Sequence, residues 1–243
     1  MPEKPTHRLV KVPKVNGRYL ADYMDASERA RRTIIRGCKY QPIAKLLQHH
    51  LAKGFIAEFL KNGSDIAKPL HNEAERLREM MADSDFDREL LDSNADVLDA
   101  FGKVFDPANL PEAEIIPLPE PFKVDLAGVE VNPDSRVALQ RTTKTNRLRT
   151  GLLSIRYAKN KPLAEEIGKW QSSLLFACRK MMDDDDEKAA ERKLCVTLDA
   201  ATGRFIEAPG DAVSRFANME AACQSIAERW DSIEPPTNAV VAE

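Results

Sequence analysis

Cysteine is scarce in this sequence, and the four cysteines stand far apart at Cys38, Cys178, Cys195 and Cys223. There is no CxxC pair and no cysteine–histidine pair at ligand spacing, which excludes the common zinc motifs and a disulfide framework. Cys178 and Cys223 fall on apolar helical stripes, so the sequence predicts small buried hydrophobic residues at these positions. A reducing cytoplasm is the simplest compartment for such a chain.

Long apolar runs are also missing. No stretch approaches the roughly 20 apolar residues of a membrane-spanning helix, and the N-terminal MPEKPTHRLVKVPK lacks the apolar region of a signal peptide. We therefore expect no membrane partner. No complete catalytic or cofactor motif is present either, so we expect no cofactor. Hydrophobic residues nevertheless make up 43% of the 243 positions, which is enough for a substantial core.

What the sequence does have is charge in blocks of alternating sign. The net charge is only −3, which argues against bulk polyanion binding. Residues 1–61 nevertheless hold 13 basic and 5 acidic residues, and residues 62–134 hold 6 and 18. Residues 135–161 hold 8 basic residues and no acidic ones, and residues 162–243 hold 9 basic and 16 acidic residues. A polyanion would meet two positive surfaces, but the same blocks are equally able to pair with acidic ones inside the molecule or across an oligomer.

The stretch 135–161 is the sharpest of these blocks, because it contains no acid. It lies between strand-like runs at residues 123–131 and 151–157, so the sequence predicts a basic loop held on a small sheet. Lysine and arginine release counterions when they neutralise phosphates, which suits such a loop to the DNA or RNA backbone. A mobile connector with incidental charge is the competing interpretation. The basic residues are Arg136, Arg141, Lys144, Arg147, Arg149, Arg156, Lys159 and Lys161.

A second basic cluster lies on the first predicted helix. Tyr23 and Tyr40 are nearby, so one interpretation is that the cluster grips phosphates while a tyrosine stacks on a base. The other interpretation is the solvated face of a short amphipathic helix. The cluster consists of Arg29, Arg31, Arg32, Arg36 and Lys39.

Caps and apolar spacing predict a helical first half. Asp25 and Ser27 cap a helix that runs through residue 36. Pro42 suits the first turn of a second helix, which Asn62-Gly63 ends. Two further helices are predicted over residues 71–81 and 85–105. Five prolines between residues 107 and 121 then predict an extended connector, because proline removes backbone donors and forbids a continuing helix.

The second half changes character. After the strand at residues 151–157 come a helix from residue 162, an acidic run at residues 183–187, a strand over 194–198, a hairpin arm over 204–207 and a helix over 214–230. The predicted class is α+β, with a helical N-terminal half and a small mixed C-terminal sheet flanked by two helices. The predicted regions are a helical region 1–106, the connector 107–121, an α/β domain 122–233 and a disordered tail 234–243.

Pro133-Asp134 closes the segment VEVNPD, ahead of the strand GLLSIRY. With this pair, the order of elements over residues 122–232 resembles the core of the PD-(D/E)XK nuclease superfamily. In that family the aspartate holds a divalent cation, and the next strand supplies an acid and, two residues on, a lysine. The resemblance implies that Asp134 is the candidate catalytic and metal-binding residue, and that an active enzyme would use magnesium.

The second half of that motif is absent. Residues 151–159 contain no Asp or Glu, and Ser154 and Arg156 stand where the acid and the lysine are expected. Arginine stays protonated, and serine is a poor magnesium ligand. Glu130, or a helix acid such as Glu89, is the candidate that could join Asp134 at a metal. The alternative interpretation of the NPD tripeptide is a turn that closes a strand.

Three functions follow from these patterns. The first is a non-catalytic nucleic-acid-binding protein with a degenerate nuclease-like core, of the kind found in bacterial mobile-element or defence loci. The second is a magnesium-dependent nuclease whose acids come from unexpected positions. The third is a protein–protein adaptor or oligomer component whose acidic and basic blocks mate. We favour the first, because charge segregation fits it and the missing acid and lysine count against catalysis.

Overall fold

A computed structural model describes residues 5–43, 49–118, 122–182, 188–237 and 239–242, and it confirms the predicted α+β class. The described helices are α1 (Gly17–Met24), α2 (Glu28–Lys39), α3 (His50–Lys61), α4 (Lys68–Glu79), α5 (Asp85–Val104), α6 (Glu165–Met182) and α7 (Ala212–Arg229). The described strands are β1 (His7–Leu9), β2 (Lys14–Asn16), β3 (Tyr40–Pro42), β4 (Glu114–Pro117), β5 (Val124–Leu126), β6 (Val129–Asn132), β7 (Ser135–Thr142), β8 (Leu148–Arg156), β9 (Lys188–Ala190), β10 (Val196–Asp199), β11 (Arg204–Glu207) and β12 (Val241–Ala242).

A six-stranded mixed sheet forms the centre of the molecule. Its strands lie in the order β11, β10, β8, β7, β4, and β9 pairs with the first residues of β8. β7 is antiparallel to both of its neighbours, whereas β10 is parallel to β8. Helix α6 lies between β8 and β10 in the chain, because two parallel strands need a crossover connection. This helix therefore lies on one face of the sheet.

Helices cover both faces of this sheet. On one face α6 packs on the strands, with α1, α2 and α7 beside it, and the core there includes Leu152 and Leu174. On the other face lie α3, α4 and α5, whose Ile56 and Phe101 share a core with Leu153. Successive residues of a strand point to opposite faces. The apolar run of β8 is therefore buried on both sides, and the helical half shares a core with the sheet.

Two smaller sheets tie the first 42 residues to the rest. β6 pairs in parallel with β2 and antiparallel with β5, and β1 lies between β12 and β3. Helix α1 starts directly after β2, where the side chain of Asn16 accepts a hydrogen bond from the amide of Arg18 at 3.0 Å. Gly17 packs against the β6–β7 turn so closely that a Cβ atom would lie 3.0 Å from the Cα of Pro133. Helix α1 is thereby fixed beside the start of β7.

The predicted basic loop over residues 135–161 is wrong, because most of this stretch is the β7–β8 hairpin with its turn at residues 143–147. β7 was not predicted, because its buried residues Val137 and Leu139 lie in a short apolar run beside charged residues. The run at residues 123–131 is not a single strand either. Ala127 and Gly128 have φ of 49° and 84°, the conformation of a tight hairpin turn, and they separate β5 from β6. In the central sheet β8 pairs with β7, and not with the run at residues 123–131.

Several boundaries also differ from the sequence prediction. Pro42 is the last residue of β3, and α3 begins at His50. The proline-rich connector contains the edge strand β4, which pairs with β7. Helix α1 was not predicted, and β12 of the predicted tail pairs with β1. Residues 44–48 of the predicted second helix, residues 119–121 of the connector and the acidic run 183–187 lie outside the described residues.

The elements with clear caps and long apolar stripes agree with prediction. Ser27 caps α2, the arm β11 has the predicted bounds, and α5, α6 and α7 begin within three residues of their predicted starts. Cys178 and Cys223 are fully buried, as interpreted from their stripes, and burial raises the pKa of each thiol to about 12. Within the described ranges, none of the helices combines the length and apolar character that a membrane crossing requires.

Candidate functional site

The chemically distinctive part of the molecule lies where β6 passes into β7. Asp134 has a φ of 58°, and its amide donates to the side chain of Asn132 at 2.9 Å, so the predicted turn is present. Arg136 follows as the extra residue of a β-bulge in the pairing of β7 with β8. Bulges re-aim side chains, and here Arg136 Nη2 lies 3.3 Å from Asp134 Oδ1.

A buried lysine approaches the same carboxylate from the helical layer. The side chain of Lys53 in α3 is 5% exposed, and its Nζ lies 4.0 Å from Asp134 Oδ2. Within the part of the chain that the structure describes, this Nζ has no hydrogen-bond acceptor. The side chain of Asp134 is itself only 11% exposed. The acid and its two cations are therefore largely shielded from water.

Arg156, at the end of β8, is held by three acceptors. Its Nη1 donates to the carbonyl of Arg18 at 3.0 Å and to Oε1 of Gln171 at 2.9 Å, and its Nη2 donates to Oδ1 of Asp22 at 2.7 Å. Gln171, buried in α6, also donates through Nε2 to the hydroxyl of Ser154 at 2.6 Å. One glutamine therefore joins Ser154 and Arg156, the two strand residues compared above with the acid and the lysine of the nuclease motif.

We call the charged residues around this point the central cluster, which consists of Arg18, Asp22, Lys53, Asp134, Arg136 and Arg156. Four cations face two carboxylates, so the formal charge of the central cluster is +2. Burial lowers the pKa of Lys53 to about 8, because desolvation of the ammonium outweighs the attraction of Asp134, and the three arginines lower this pKa further. The cluster is a positively charged, partly dehydrated site.

The central cluster opens into a cavity of about 410 Å³ between α1, α3, α5 and the end of β8. Its lining contains the cations Arg18, Lys53 and Arg156 together with Tyr19 and Tyr157. Arg18 lies over the ring of Tyr19, 4.5 Å from its centroid, and donates to the hydroxyl of that tyrosine at 2.7 Å. Cationic and aromatic groups are therefore combined in one cavity.

An uncharged histidine completes the aromatic part of the cavity. The ring of His49 meets that of Tyr157 edge-on, with 5.2 Å between centroids. Burial, and then the charges of Lys53 and Arg18, lower the pKa of His49 to about 4. The imidazole is consequently neutral at pH 7 and adds an aromatic surface without adding charge.

The central cluster does not fit a magnesium ion. Magnesium is bound through carboxylates, phosphates and water, whereas Asp134 faces Lys53 and Arg136. Glu130, a further candidate ligand, is occupied by Lys14 of β2 at 2.8 Å and by Lys123, the residue before β5, at 3.1 Å. Among the described residues, no group of three His, Cys, Asp or Glu side chains is close enough to hold a metal ion. The arrangement instead favours an anion.

The basic residues of the stretch 135–161 are divided between the two ends of the β7–β8 hairpin. Arg136 and Arg156 belong to the central cluster, and Lys159 pairs with Asp96 at 3.0 Å. Nearer the turn, Arg141 is bound to Glu191 on both oxygens. At about 3.3 Å per residue the two ends lie about 25 Å apart. The residues for which no ion pair is found within the described ranges are Lys144, Arg147, Arg149 and Lys161.

The predicted basic cluster on α2 divides as well. Arg31 donates to two carbonyls at the end of α1, and Lys39, 7% exposed, donates to three carbonyls just after α7. These two side chains cap helices, and Lys39 is buried while Arg31 is partly buried. Tyr23 and Tyr40 are each only 8% exposed, so they present no stacking surface. The exposed members are Arg29, Arg32 and Arg36.

Sequence patterns overlooked part of the central cluster, namely Arg18, Asp22, Lys53 and the supporting Gln171. Lys53 did carry a signal, because it shares the buried stripe of α3 with Ile56 and Leu60 at helical spacing. Gln171 likewise stands among the buried residues of α6. Arg18 carried none, since its contact with Arg156 joins residues 138 positions apart in the chain.

Comparison with known proteins adds no relative to this description. No protein-family model matches the chain, and no curated protein matches it.

Proposed function

We propose that this chain binds nucleic acid through its phosphate groups and does not cleave it. The observation that supports this proposal most is the central cluster, in which four cations surround two carboxylates at one end of the sheet. An anion offsets the excess charge of this cluster, whereas a divalent cation would add to it. Arginine and lysine are the side chains that bind phosphate, and the backbones of DNA and RNA supply phosphates in quantity.

A degenerate PD-(D/E)XK core, of the kind found in bacterial mobile-element or defence loci, is part of the proposal. It is supported by the succession β7, β8, α6, β10 and by the pairing of Ser135 with Ser154, which brings Asp134 beside the second motif position. Ser154 and Arg156 are both engaged by Gln171. Neither side chain is therefore free to replace the acid or the lysine of an active nuclease.

A salt titration tests nucleic-acid binding directly. The polarisation of fluorescein-labelled single- and double-stranded DNA and RNA is measured between about 50 and 200 mM salt. We expect the logarithm of the association constant to fall linearly with the logarithm of the salt concentration, because each neutralised phosphate releases a counterion. Absent binding, or an affinity that salt does not change, contradicts the proposal.

The exposed turn of the β7–β8 hairpin is the second expected binding surface. Replacing Lys144, Arg147 and Arg149 together with serine should weaken binding of all sequences alike and lower the salt slope by about 1 for each phosphate that the variant no longer neutralises. The control is Arg204→Ser, since Arg204 is exposed and lies in β11, away from this turn. Equal affinity of the triple variant and the control would remove the turn from the binding surface.

Magnesium-dependent cleavage is a second candidate, favoured by one observation. The Nζ of Lys53, an ammonium with a lowered pKa, lies 4.0 Å from Asp134. Helix α3 thereby supplies a lysine that the strand β8 lacks. The missing acid counts against this candidate. Incubation of labelled DNA and RNA with magnesium or with EDTA distinguishes the two functions. Cleavage that requires magnesium and is abolished in Asp134→Asn establishes a nuclease.

The pairing of charge blocks inside the molecule counts against the adaptor function, because paired charges are not available to a partner. Arg141 binds Glu191, Arg156 binds Asp22, and Lys159 binds an acid of α5. Together with Arg136, which pairs with Asp134, half of the basic stretch is used internally, so the charges that remain are fewer than the sequence count indicates. Light scattering at low and high salt tests self-association, and a salt-sensitive oligomer without nucleic-acid binding favours the adaptor.

A further inference from the structure

The cavity beside the central cluster has cationic side chains that are incompletely paired. Lys53 is 5% exposed, and its closest carboxylate oxygen, at 4.0 Å, belongs to an aspartate that also pairs with Arg136. Arg18, which lines the same cavity, has a buried Nε without a hydrogen-bond acceptor among the described residues. Burying charged donors without partners is unfavourable. The unpartnered Nε of Arg18 and the incompletely paired ammonium of Lys53 at one cavity indicate that it takes up an anion.

The charge of the central cluster indicates what kind of anion is bound. Its excess of two positive charges matches a phosphate monoester, which carries about −1.5 to −2 charges at pH 7. An internal phosphodiester of a nucleic-acid strand carries a single negative charge and would leave part of the excess uncompensated. The balance therefore favours a terminal phosphate over one within a strand.

The size and the aromatic lining of the cavity indicate what is attached to that phosphate. A volume of about 410 Å³ falls within the range of small-molecule sites, roughly 300 to 1,000 Å³, and is far too small for a duplex. Tyr157 and neutral His49 stand in the same cavity as the cations. Aromatic side chains stack on any nucleobase. A phosphate with one adjoining nucleoside uses both kinds of group.

We propose that this cavity binds the phosphorylated end of a nucleic-acid strand, with Arg18 and Lys53 contacting the phosphate monoester and Tyr157 contacting the adjoining base; the strand as the source of the phosphate rests on the function proposed above. The shared chemistry is a phosphate monoester on a nucleoside, which a free nucleotide also offers. The same side chains would bind either ligand, so an experiment has to distinguish the strand end from the free nucleotide.

The test compares strands that differ only at their ends. A short oligothymidine of about ten nucleotides carries a phosphate or a hydroxyl at its 5′ end and a fluorophore at its 3′ end, and a second pair has the ends exchanged. Polarisation with the full chain gives the affinities, and titration calorimetry with thymidine monophosphate tests the free nucleotide. We expect the full chain to prefer one phosphorylated end by about tenfold, because the phosphate forms a charge-assisted hydrogen bond that the hydroxyl cannot form.

Each outcome of this test bears on one of the two proposals. Equal affinity of phosphorylated and hydroxyl strands, without binding of the monophosphate, overturns the end-binding proposal and leaves nucleic-acid binding standing. Binding of the monophosphate without binding of any strand supports the cavity as a phosphate monoester site and overturns the proposed function. Absence of both kinds of binding overturns both proposals.

Variants identify the residue responsible. Lys53→Met removes the ammonium while keeping an unbranched side chain only one atom shorter. It should abolish the preference for a phosphorylated end but retain binding of the hydroxyl strand. Lys61→Met is the matched control, because Lys61 lies on the same helix and pairs with Glu58. Circular dichroism checks that each variant is folded. A preference that persists in folded Lys53→Met contradicts the assignment.

The pH dependence of the wild-type chain provides a test that needs no variant. The groups facing Lys53 are Asp134 from the β6–β7 turn and Arg18, Arg136, Arg156 and His49 from α1, β7, β8 and the residue before α3. Because the lysine loses its proton near pH 8 in the free chain, the preference for the phosphorylated end should shrink as the pH rises from 7 to about 9. A preference that is unchanged over this range assigns the phosphate to other groups and overturns the role of Lys53.

Discussion

At the scale of single residues, Lys53 has the environment that stability alone explains least. Its ammonium is almost completely buried and has one carboxylate within 4.0 Å, which it shares with Arg136. Replacing a buried ion pair with apolar groups is often neutral or stabilising, whereas an incompletely paired buried charge is strongly destabilising. Such a residue is typical of sites where binding, and not folding, determines the side chain.

This environment predicts a specific dependence of stability on pH. Burial lowers the pKa of Lys53 from 10.5 to about 8. Between these values the unfolded chain binds a proton that the folded chain does not, so this residue makes the free energy of unfolding rise as the pH rises from about 8 to 10.5. Below pH 8 both states hold the proton, and the full destabilisation, of the order of 3 kcal/mol, is present.

Lys53→Met should therefore raise the free energy of unfolding at pH 7 by about 1 to 3 kcal/mol, because the desolvated charge is removed. The advantage of the variant should shrink between pH 8 and 10.5, as the wild-type lysine becomes neutral in the folded state. Urea unfolding of both chains at pH 7, 9 and 10.5 measures this difference, with Lys61→Met as control. Parallel pH profiles of wild type and Lys53→Met would show that another group causes the dependence.

At the scale of secondary-structure elements, the contact between α6 and β8 organises the site. Gln171 lies on the buried face of α6 and bridges Ser154 and Arg156, which are two residues apart on β8. Residues two apart on a strand point to the same face of the sheet. A single helical amide therefore orients both strand side chains, and the direction of the Arg156 guanidinium depends on it.

Gln171→Leu tests this contact. The variant leaves the hydroxyl of Ser154 without its donor and removes one acceptor of Arg156, so the free energy of unfolding should fall by about 1 to 3 kcal/mol. Gln224→Leu is the matched control, because Gln224 is exposed on α7 and its bond to Glu228 is 3.3 Å long. The control should change stability by less than about 0.5 kcal/mol. Equal effects of the two substitutions in denaturant unfolding would contradict the role of Gln171.

At the scale of the whole molecule, the helical half and the sheet share one apolar core. Phe101 in α5 is fully buried and belongs to the same cluster as Val137, Leu153 and Val196 of the sheet. The helices α3, α4 and α5 therefore cover a face of the sheet that would otherwise expose a continuous apolar surface. Cooperative unfolding of both halves follows from this arrangement.

Phe101→Ala should lower the free energy of unfolding by about 3 to 5 kcal/mol, because it opens a cavity in the shared core. Trp170 and Trp230 belong to the core on the opposite face, so their fluorescence reports on the other side of the sheet. We expect the fluorescence and circular-dichroism transitions to coincide and to shift together. Two separate transitions would show that the halves unfold independently. Phe86→Ala, at a side chain that is 47% exposed, is the control.

Local patterns in the sequence determined the elements whose boundaries depend on nearby residues. Ser27 and Ser84 cap helices because a side-chain oxygen accepts from an amide within the first turn, which requires no tertiary contact. The apolar stripes of α5, α6 and α7 and the arm β11 follow from residue spacing alone. The same local information indicated a turn at Asp134 and buried positions for the cysteines.

Only the tertiary structure determined which charged residues lie together and which of them are paired. Counting eight basic residues between positions 135 and 161 indicated one loop, but the hairpin places them at opposite ends. Three of the eight pair with acids from other parts of the chain, and Arg136 pairs with the neighbouring Asp134. The central cluster brings Arg18, Lys53, Asp134 and Arg156 together from four elements that are distant in the sequence. The sequence alone determined the composition, the caps and the stripes, because these depend on residues a few positions apart. Most of the charge pairing of residues 135–161 depends on contacts between residues 50 to 138 positions apart, and only the packing of α1, α5 and the sheet determined it.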